Sequence, residues 1–166
     1  MQGFENPTYV IAYIISNVVA ILLLWASLKN ARLSRLLFFL LFAWASWINM
    51  RTALTQPEVY LEYADLTFSS WYRAFILGPF KAHTALMVGS IAVCQGLIAL
   101  TMLMKGLVFR IGAVGAMVFL ISIAPLGVGS AFPCTLVMAV GLLFLLRRKN
   151  IPYLWKKSTE SEMNLA

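Results

Sequence analysis

The sequence predicts an all-α protein, a polytopic membrane helical bundle with five transmembrane helices and a short outer cap helix. Three observations predict it. Of the 166 residues, 61% are hydrophobic and only 11% are charged. Ten of the thirteen Lys and Arg residues fall into three clusters, at residues 29–35, 105–110 and 147–157, and each cluster separates or ends a long apolar run; the other three are Arg51, Arg73 and Lys81. Half of the six acids, Glu58, Glu62 and Asp65, lie in one stretch between Thr55 and Lys81.

Basic residues accumulate in cytoplasmic loops of membrane proteins. Placing all three clusters inside puts the N-terminus outside, the C-terminus in the cytoplasm and a multi-pass chain in the cell membrane. Five crossings satisfy this rule, whereas four leave one basic cluster on the wrong side. A water-soluble domain of this size would need far more polar cover. The net charge of +7 sits in short loops beside apolar helices, where it suits anionic lipid rather than nucleic acid. The first eight residues carry Glu5 and no Lys or Arg, and the apolar run after them has no small-residue cleavage site. The first helix therefore resembles a signal anchor more than a signal peptide.

The first span, residues 9–28, is twenty residues, enough to cross a hydrocarbon core of about 30 Å. The second covers residues 36–54, with Arg51 snorkelling to the outer interface. Thr55-Gln-Pro-Glu58 then reads as a capping box, with Thr55 as N-cap, Pro57 in the first turn and Glu58 at the third position. On an α-helix starting there, spacings of four and three place Glu58, Glu62 and Asp65 on one face, and Gly78-Pro79 ends the cap. The third span is residues 82–104. The fourth, residues 111–124, leads to Pro125-Leu-Gly-Val-Gly129, a turn sequence. The fifth span, residues 130–146, returns inside. Residues 151–157 alternate aromatic and basic side chains suited to a headgroup layer, and residues 158–166 read as a disordered cytoplasmic tail. The chain is a single transmembrane domain over residues 1–157.

Few residues carry recognisable chemistry. Asn17 and Gln95 are amides deep in predicted spans and need hydrogen-bond partners, which they would find in each other. Gln95 with Cys94 would alternatively line a polar pocket for a quinone or lipid headgroup. His83, Arg51 and Arg73 share the predicted outer layer with Glu58, Glu62 and Asp65. Salt bridging is the ordinary expectation for that group, and a docking face for a ligand or partner the functional one. A single histidine makes no metal site unaided, and no metal or catalytic residue is assigned. Cys94 and Cys134 differ in predicted depth, which argues for two buried thiols rather than a disulfide. Gly112, Gly115 and Ala116 allow another helix to approach closely, within the monomer. Trp44, Trp47, Trp71, Tyr72, Tyr153 and Trp155 read as interface anchors. There is no phosphate-binding loop, dinucleotide fingerprint, zinc-protease helix or nucleophile elbow.

From about residue 36 to 146 the order of features resembles the DoxX-like family of small bacterial and archaeal membrane proteins. The resemblance rests on an apolar helix, the outer Gln56-Pro57, a helix carrying Gln95-Gly96-Leu97, and Gly106 to Arg110 leading into Ile111-Gly112-Ala113 and two closing helices. It implies a four-helix bundle for the last four spans and a place in membrane-associated redox or sulfur-metabolism assemblies. The helix at residues 9–28 is additional, and Gln95 stands where relatives are expected to carry an acid. The functional expectation is a non-catalytic accessory or anchoring membrane protein. Its partners would be the bilayer, other membrane subunits and a lipid or quinone held in the bundle. The alternatives are a DoxX-like oxidoreductase component and a small transporter or channel. The cofactor is unknown.

Overall fold

The computed structural model describes residue 5, residues 7–148 and residues 152–155. Residues 158–166 and most of the basic stretch 149–157 lie outside the described residues. The described chain is helical, in the order α1 (Pro7–Lys29), α2 (Ala31–Thr55), a 3₁₀ segment (Pro57–Glu62), α3 (Tyr63–Leu66), α4 (Ser70–Phe75), a π turn (Ile76–Phe80), α5 (Thr84–Leu103), α6 (Gly106–Ile123), a 3₁₀ segment (Ala124–Ser130) and α7 (Cys134–Leu146). Four stretches are long and apolar enough to cross a membrane, Pro7–Lys29, Ala31–Thr55, Thr84–Leu103 and Gly106–Ser130, and Cys134–Leu146 is a shorter apolar helix.

The packing is that of a bundle made for lipid. Large apolar side chains face outward along every long helix, among them Leu86 at 70% exposure and Leu107 at 71%, while Ala20, Ala92, Ala113 and Ala116 are at 0%. Without water to drive helices together, small residues at the contacts let backbones approach and gain van der Waals energy. Accordingly, α2 packs on α5, α1 on α7, and α6 on both α5 and α7. Ser46 on α2 donates to Ala92 O on α5 at 2.7 Å, and a Cβ at Gly96 would lie 3.0 Å from the same hydroxyl. Gly112 is tighter still, since its Cβ would fall 1.7 Å from Thr101 Oγ1 on α5. The close approach expected at Gly112 is thus between α6 and α5 of one chain. Gly112→Ala should destabilise the bundle by about 1–3 kcal/mol, as overpacking does. Adding Thr101→Ala should return most of it, read by thermal unfolding in detergent.

At one end, here called the basic end, the helix junctions are shorter than expected. Asn30 alone joins α1 to α2, and its side chain accepts from Leu33 N at 3.0 Å as an N-cap. Arg32 and Arg35 are consequently helical residues, and α2 begins at Ala31 rather than Leu36. Lys105, in extended conformation, precedes α6. The stretch Gly106 to Arg110, expected as a loop, is its first turn. Cations near helix C-termini are favourable because the last carbonyls and the helix dipole attract them. Arg35, only 4% exposed, donates to Met102 O at 3.0 Å, to Met104 O, and to Pro152 O at 2.7 Å. Its guanidinium lies 4.7 Å from the centre of the Phe109 ring. Arg148 donates to Ser27 O and Leu28 O, both at 3.1 Å. The ends of α5 and α1 are thus capped by arginines from elsewhere in the chain. The largest fully buried side chains, Phe38, Phe109, Leu23, Met102, Leu142 and Leu145, include the ring under Arg35.

At the opposite end the cap differs from expectation in its geometry. Thr55 is the last residue of α2, and its hydroxyl bonds back to Arg51 O at 2.9 Å instead of capping the next helix. The short helix does start with Pro57, but as a 3₁₀ segment behind Gln56. In a 3₁₀ helix residues four apart no longer share a face, because each residue turns about 120° rather than 100°. Glu58 and Glu62 therefore diverge. Gly78, at φ −106 and ψ −107, breaks the helical run as Gly78-Pro79 predicted.

Candidate functional site

The segment joining α6 to α7 helps to build a polar-lined cavity at the cap end of the bundle. Gly127 has φ +64, a left-handed conformation that other residues rarely adopt. It turns the chain back beneath the cap. Carbonyls freed by this irregular backbone find side-chain donors: Ser130 Oγ donates to Gly127 O at 3.1 Å, Thr67 Oγ1 to Pro125 O at 2.5 Å, and Tyr72 OH to Ser122 O. Asn17 Nδ2 in mid-α1 donates to Ala131 O at 3.1 Å as well as to Tyr13 O at 2.9 Å. Buried polar backbone needs such partners, since each unsatisfied group costs about 1–3 kcal/mol. The turn is glycine-rich because the cap sits directly on it. A Cβ at Gly127 would be 2.7 Å from Leu66 O, and one at Gly129 only 2.2 Å from the Tyr63 ring.

Between this turn, the first half of α1 and the cap lies a cavity of about 400 Å³. Tyr9, Tyr13, Ser16, Glu62, Tyr63 and Ser130 supply its polar groups, and Ala12, Val59, Leu66 and Val128 are among its apolar ones. Tyr9 OH donates to Glu62 Oε2 at 2.7 Å, closing one side. Burial, above all, pushes the Tyr63 phenol above its ordinary pKa, with Tyr60, Tyr9 and Glu62 acting in the same direction, so it remains a neutral hydroxyl. A smaller cavity of about 170 Å³ adjoins it, bounded by Tyr13, Asp65, Phe68, Gly127 and Phe132. On α7, one helical turn beyond Ala131, Thr135 Oγ1 is buried without a hydrogen-bond partner among the described residues.

Of the residues singled out in the sequence, Glu62 and Asp65 border these cavities, and Asn17 secures the turn beneath them. The others lie elsewhere. Asn17 and Gln95 do not pair: Gln95 on α5 accepts from Asn49 Nδ2 on α2 at 2.7 Å, and Asn49 Oδ1 accepts from Tyr60 OH at 2.7 Å. The reason is the packing order, in which α2 and α6 flank α5 while α1 sits against α7 and α2. Cys94 is exposed and Cys134 buried, so only one of the two thiols expected to be buried is in the core. The expected outer charge network reduces to one exposed pair, Arg73 to Asp65 at 3.2 Å, a kind of bridge typically worth about 0–1 kcal/mol. Arg51 lies over Trp47, 5.8 Å from the ring centre. Glu58 and His83 are exposed. Among the described residues no group of three His, Cys, Asp or Glu side chains could hold a metal ion. Compared with protein-family models, curated proteins and solved structures, the chain matches none of them.

The residues that the sequence did not reveal are Tyr9, Tyr13, Ser16, Tyr63 and Ser130. Three of them belong to an apolar helix, where a hydroxyl every few residues is ordinary. What assembles them is the inward turn at residues 127–131, whose glycines were legible and whose burial was not.

Proposed function

We propose that this chain is a five-crossing membrane protein, N-terminus outside and C-terminus in the cytoplasm, that works as a non-catalytic accessory or anchoring subunit. It holds one small amphiphile, a lipid headgroup or a quinone ring, in the cavity beneath its outer cap. The carrying observation is that cavity, about 400 Å³, with hydroxyls and one carboxylate converging from α1, the cap and the turn at residues 128–131. Pockets of this size with a few convergent polar groups in apolar walls are the usual form of small-molecule sites.

The short α7 supports a fifth crossing. Its 13 residues extend about 20 Å, less than the hydrocarbon core. Asn17, which holds Ala131, lies about 12 Å along α1 from Tyr9. The turn therefore reaches into the bundle to meet α7, and the two together cover the core thickness. Irregular backbone at such depth is tolerated when it is enclosed by protein and internally bonded, as at residues 124–131. Seven cations described at the basic end, Lys29, Arg32, Arg35, Lys105, Arg110, Arg147 and Arg148, support its cytoplasmic side. A cysteine placed at Ser158 should be labelled only after the membrane is opened, and labelling in intact cells would overturn the orientation.

The ligand is tested by purifying the full chain in mild detergent and extracting lipids and quinones for mass spectrometry. A co-purifying amphiphile is expected, and Ser16→Phe, which fills the cavity, should lose it while the protein stays folded. Retention of the same molecule by a folded Ser16→Phe variant would refute the site.

A further inference from the structure

The basic end carries a second groove, unrelated to the cap. Its volume is about 460 Å³, and Asn30, Arg32, Leu33, Leu36, Leu103 and Trp155 form its walls. The apolar wall comes from α2 and the end of α5. Its other edge is chain that returns after α7: Leu154 N donates to Leu103 O at 3.1 Å, and Arg35 grips Pro152 O. The tail is thereby fixed across the end of α5, with Leu154 only 8% exposed. Trp155 stacks on Tyr153 at 4.6 Å, and Lys105 Nζ lies 5.0 Å from the centre of that Tyr153 ring. Arg32 and Lys105 thus bring two exposed cations to one aromatic rim.

Among the described residues neither cation has an acidic neighbour to neutralise it. The described acids are Glu5, Glu58, Glu62 and Asp65: Glu5 precedes α1, and the other three belong to the cap at the far end of the bundle. Arg35 is already engaged by three carbonyls and leaves the anion to Arg32 and Lys105. We infer that this groove binds one anionic phospholipid of the cytoplasmic leaflet, phosphate on Arg32 at the Trp155 rim, with Lys105 outside the groove beside Tyr153 adding its charge to that rim, and one acyl chain along Leu33, Leu36 and Leu103. An amphipathic occupant fits both surfaces, because a leucine wall running into a cationic, tryptophan-bearing rim reproduces the depth profile of a lipid.

The inference rests on the cytoplasmic placement of the basic end but not on the cap cavity, and its test separates the two. The probe is phosphatidylglycerol competed against phosphatidylcholine for the full chain in mild detergent, with retained lipid read by native mass spectrometry. One phosphatidylglycerol should be retained in preference. Arg32→Gln with Lys105→Gln should reduce that preference about thirtyfold, the worth of two interfacial cations at about 1 kcal/mol each. Leu36→Trp fills the groove without altering charge and should abolish retention at unchanged thermal stability, leaving any molecule in the cap cavity in place. Arg110→Gln removes a cation of the same end that neither lines the groove nor meets its aromatic rim among the described contacts, and should change nothing. An equal loss in Arg110→Gln and in the double variant would show diffuse charge attraction and overturn the site, as would undiminished retention by folded Leu36→Trp.

Discussion

Replacing Arg35 with methionine is expected to destabilise the protein by about 3 kcal/mol or more, and to free its C-terminal tail. Methionine fills similar space and keeps the apolar stem, so the loss isolates the guanidinium. The carbonyls of Met102, Met104 and Pro152 all accept from Arg35, and each buried carbonyl left without a donor costs about 1–3 kcal/mol unless water reaches it. Arg35→Lys keeps the charge but offers one compact ammonium in place of a planar fork, and it should recover less than half of the loss. Two measurements check this. Thermal unfolding in detergent should fall steeply for Arg35→Met, and protease should cut near Tyr153 in the variant while sparing the parent. Parent-like stability in Arg35→Met would mean that packing and the Leu154 N to Leu103 O bond hold the tail on α5 without the guanidinium.

The second large effect is expected at Gly129, where alanine should cost about 2 kcal/mol and open the cap. A Cβ there falls 2.2 Å from Cδ1 and 2.6 Å from Cε1 of Tyr63, a ring already fixed beside Tyr60 at 5.9 Å, so the turn and the cap cannot both keep their places. Overpacking of this kind typically costs about 1–3 kcal/mol. Removing the ring as well, in Gly129→Ala with Tyr63→Ala, should restore part of the stability, with a coupling of about 1–2 kcal/mol between neighbours in contact. Additive losses in that cycle would show that the clash is relieved elsewhere. Because Gly129 and Tyr63 both line the cavity, the single variant should also release whatever amphiphile is held there. The Arg35 tail contact, at the other end, should remain protease-resistant.

The sequence determined the helical class, the four long apolar stretches, the break at Gly78-Pro79 and the turn after Pro125. These follow from local quantities: length of apolar run, glycine and proline positions, and the grouping of charges. It also singled out Glu62, Asp65 and Asn17 among residues of interest. What it misplaced were partners and ends. Thr55 and Glu58 fit a capping box by spacing, yet Thr55 found its own helix's carbonyl four residues back, a choice that spacing does not encode. Asn17 and Gln95 are amides of similar predicted depth, and depth alone cannot say that α5 lies against α2 and α6 while α1 lies against α7. Arg32 and Arg35 read as a loop because charge is rare in membrane helices, but a buried arginine becomes tolerable once three carbonyls from distant parts of the chain meet it. The cavity beneath the cap, the groove at the basic end and the arginine caps all join residues separated by tens of positions. Only the order in which the helices pack could bring them together, and in an apolar chain that order is set by the shapes of small residues such as Gly96, Gly112 and Gly129 against the neighbours they happen to meet.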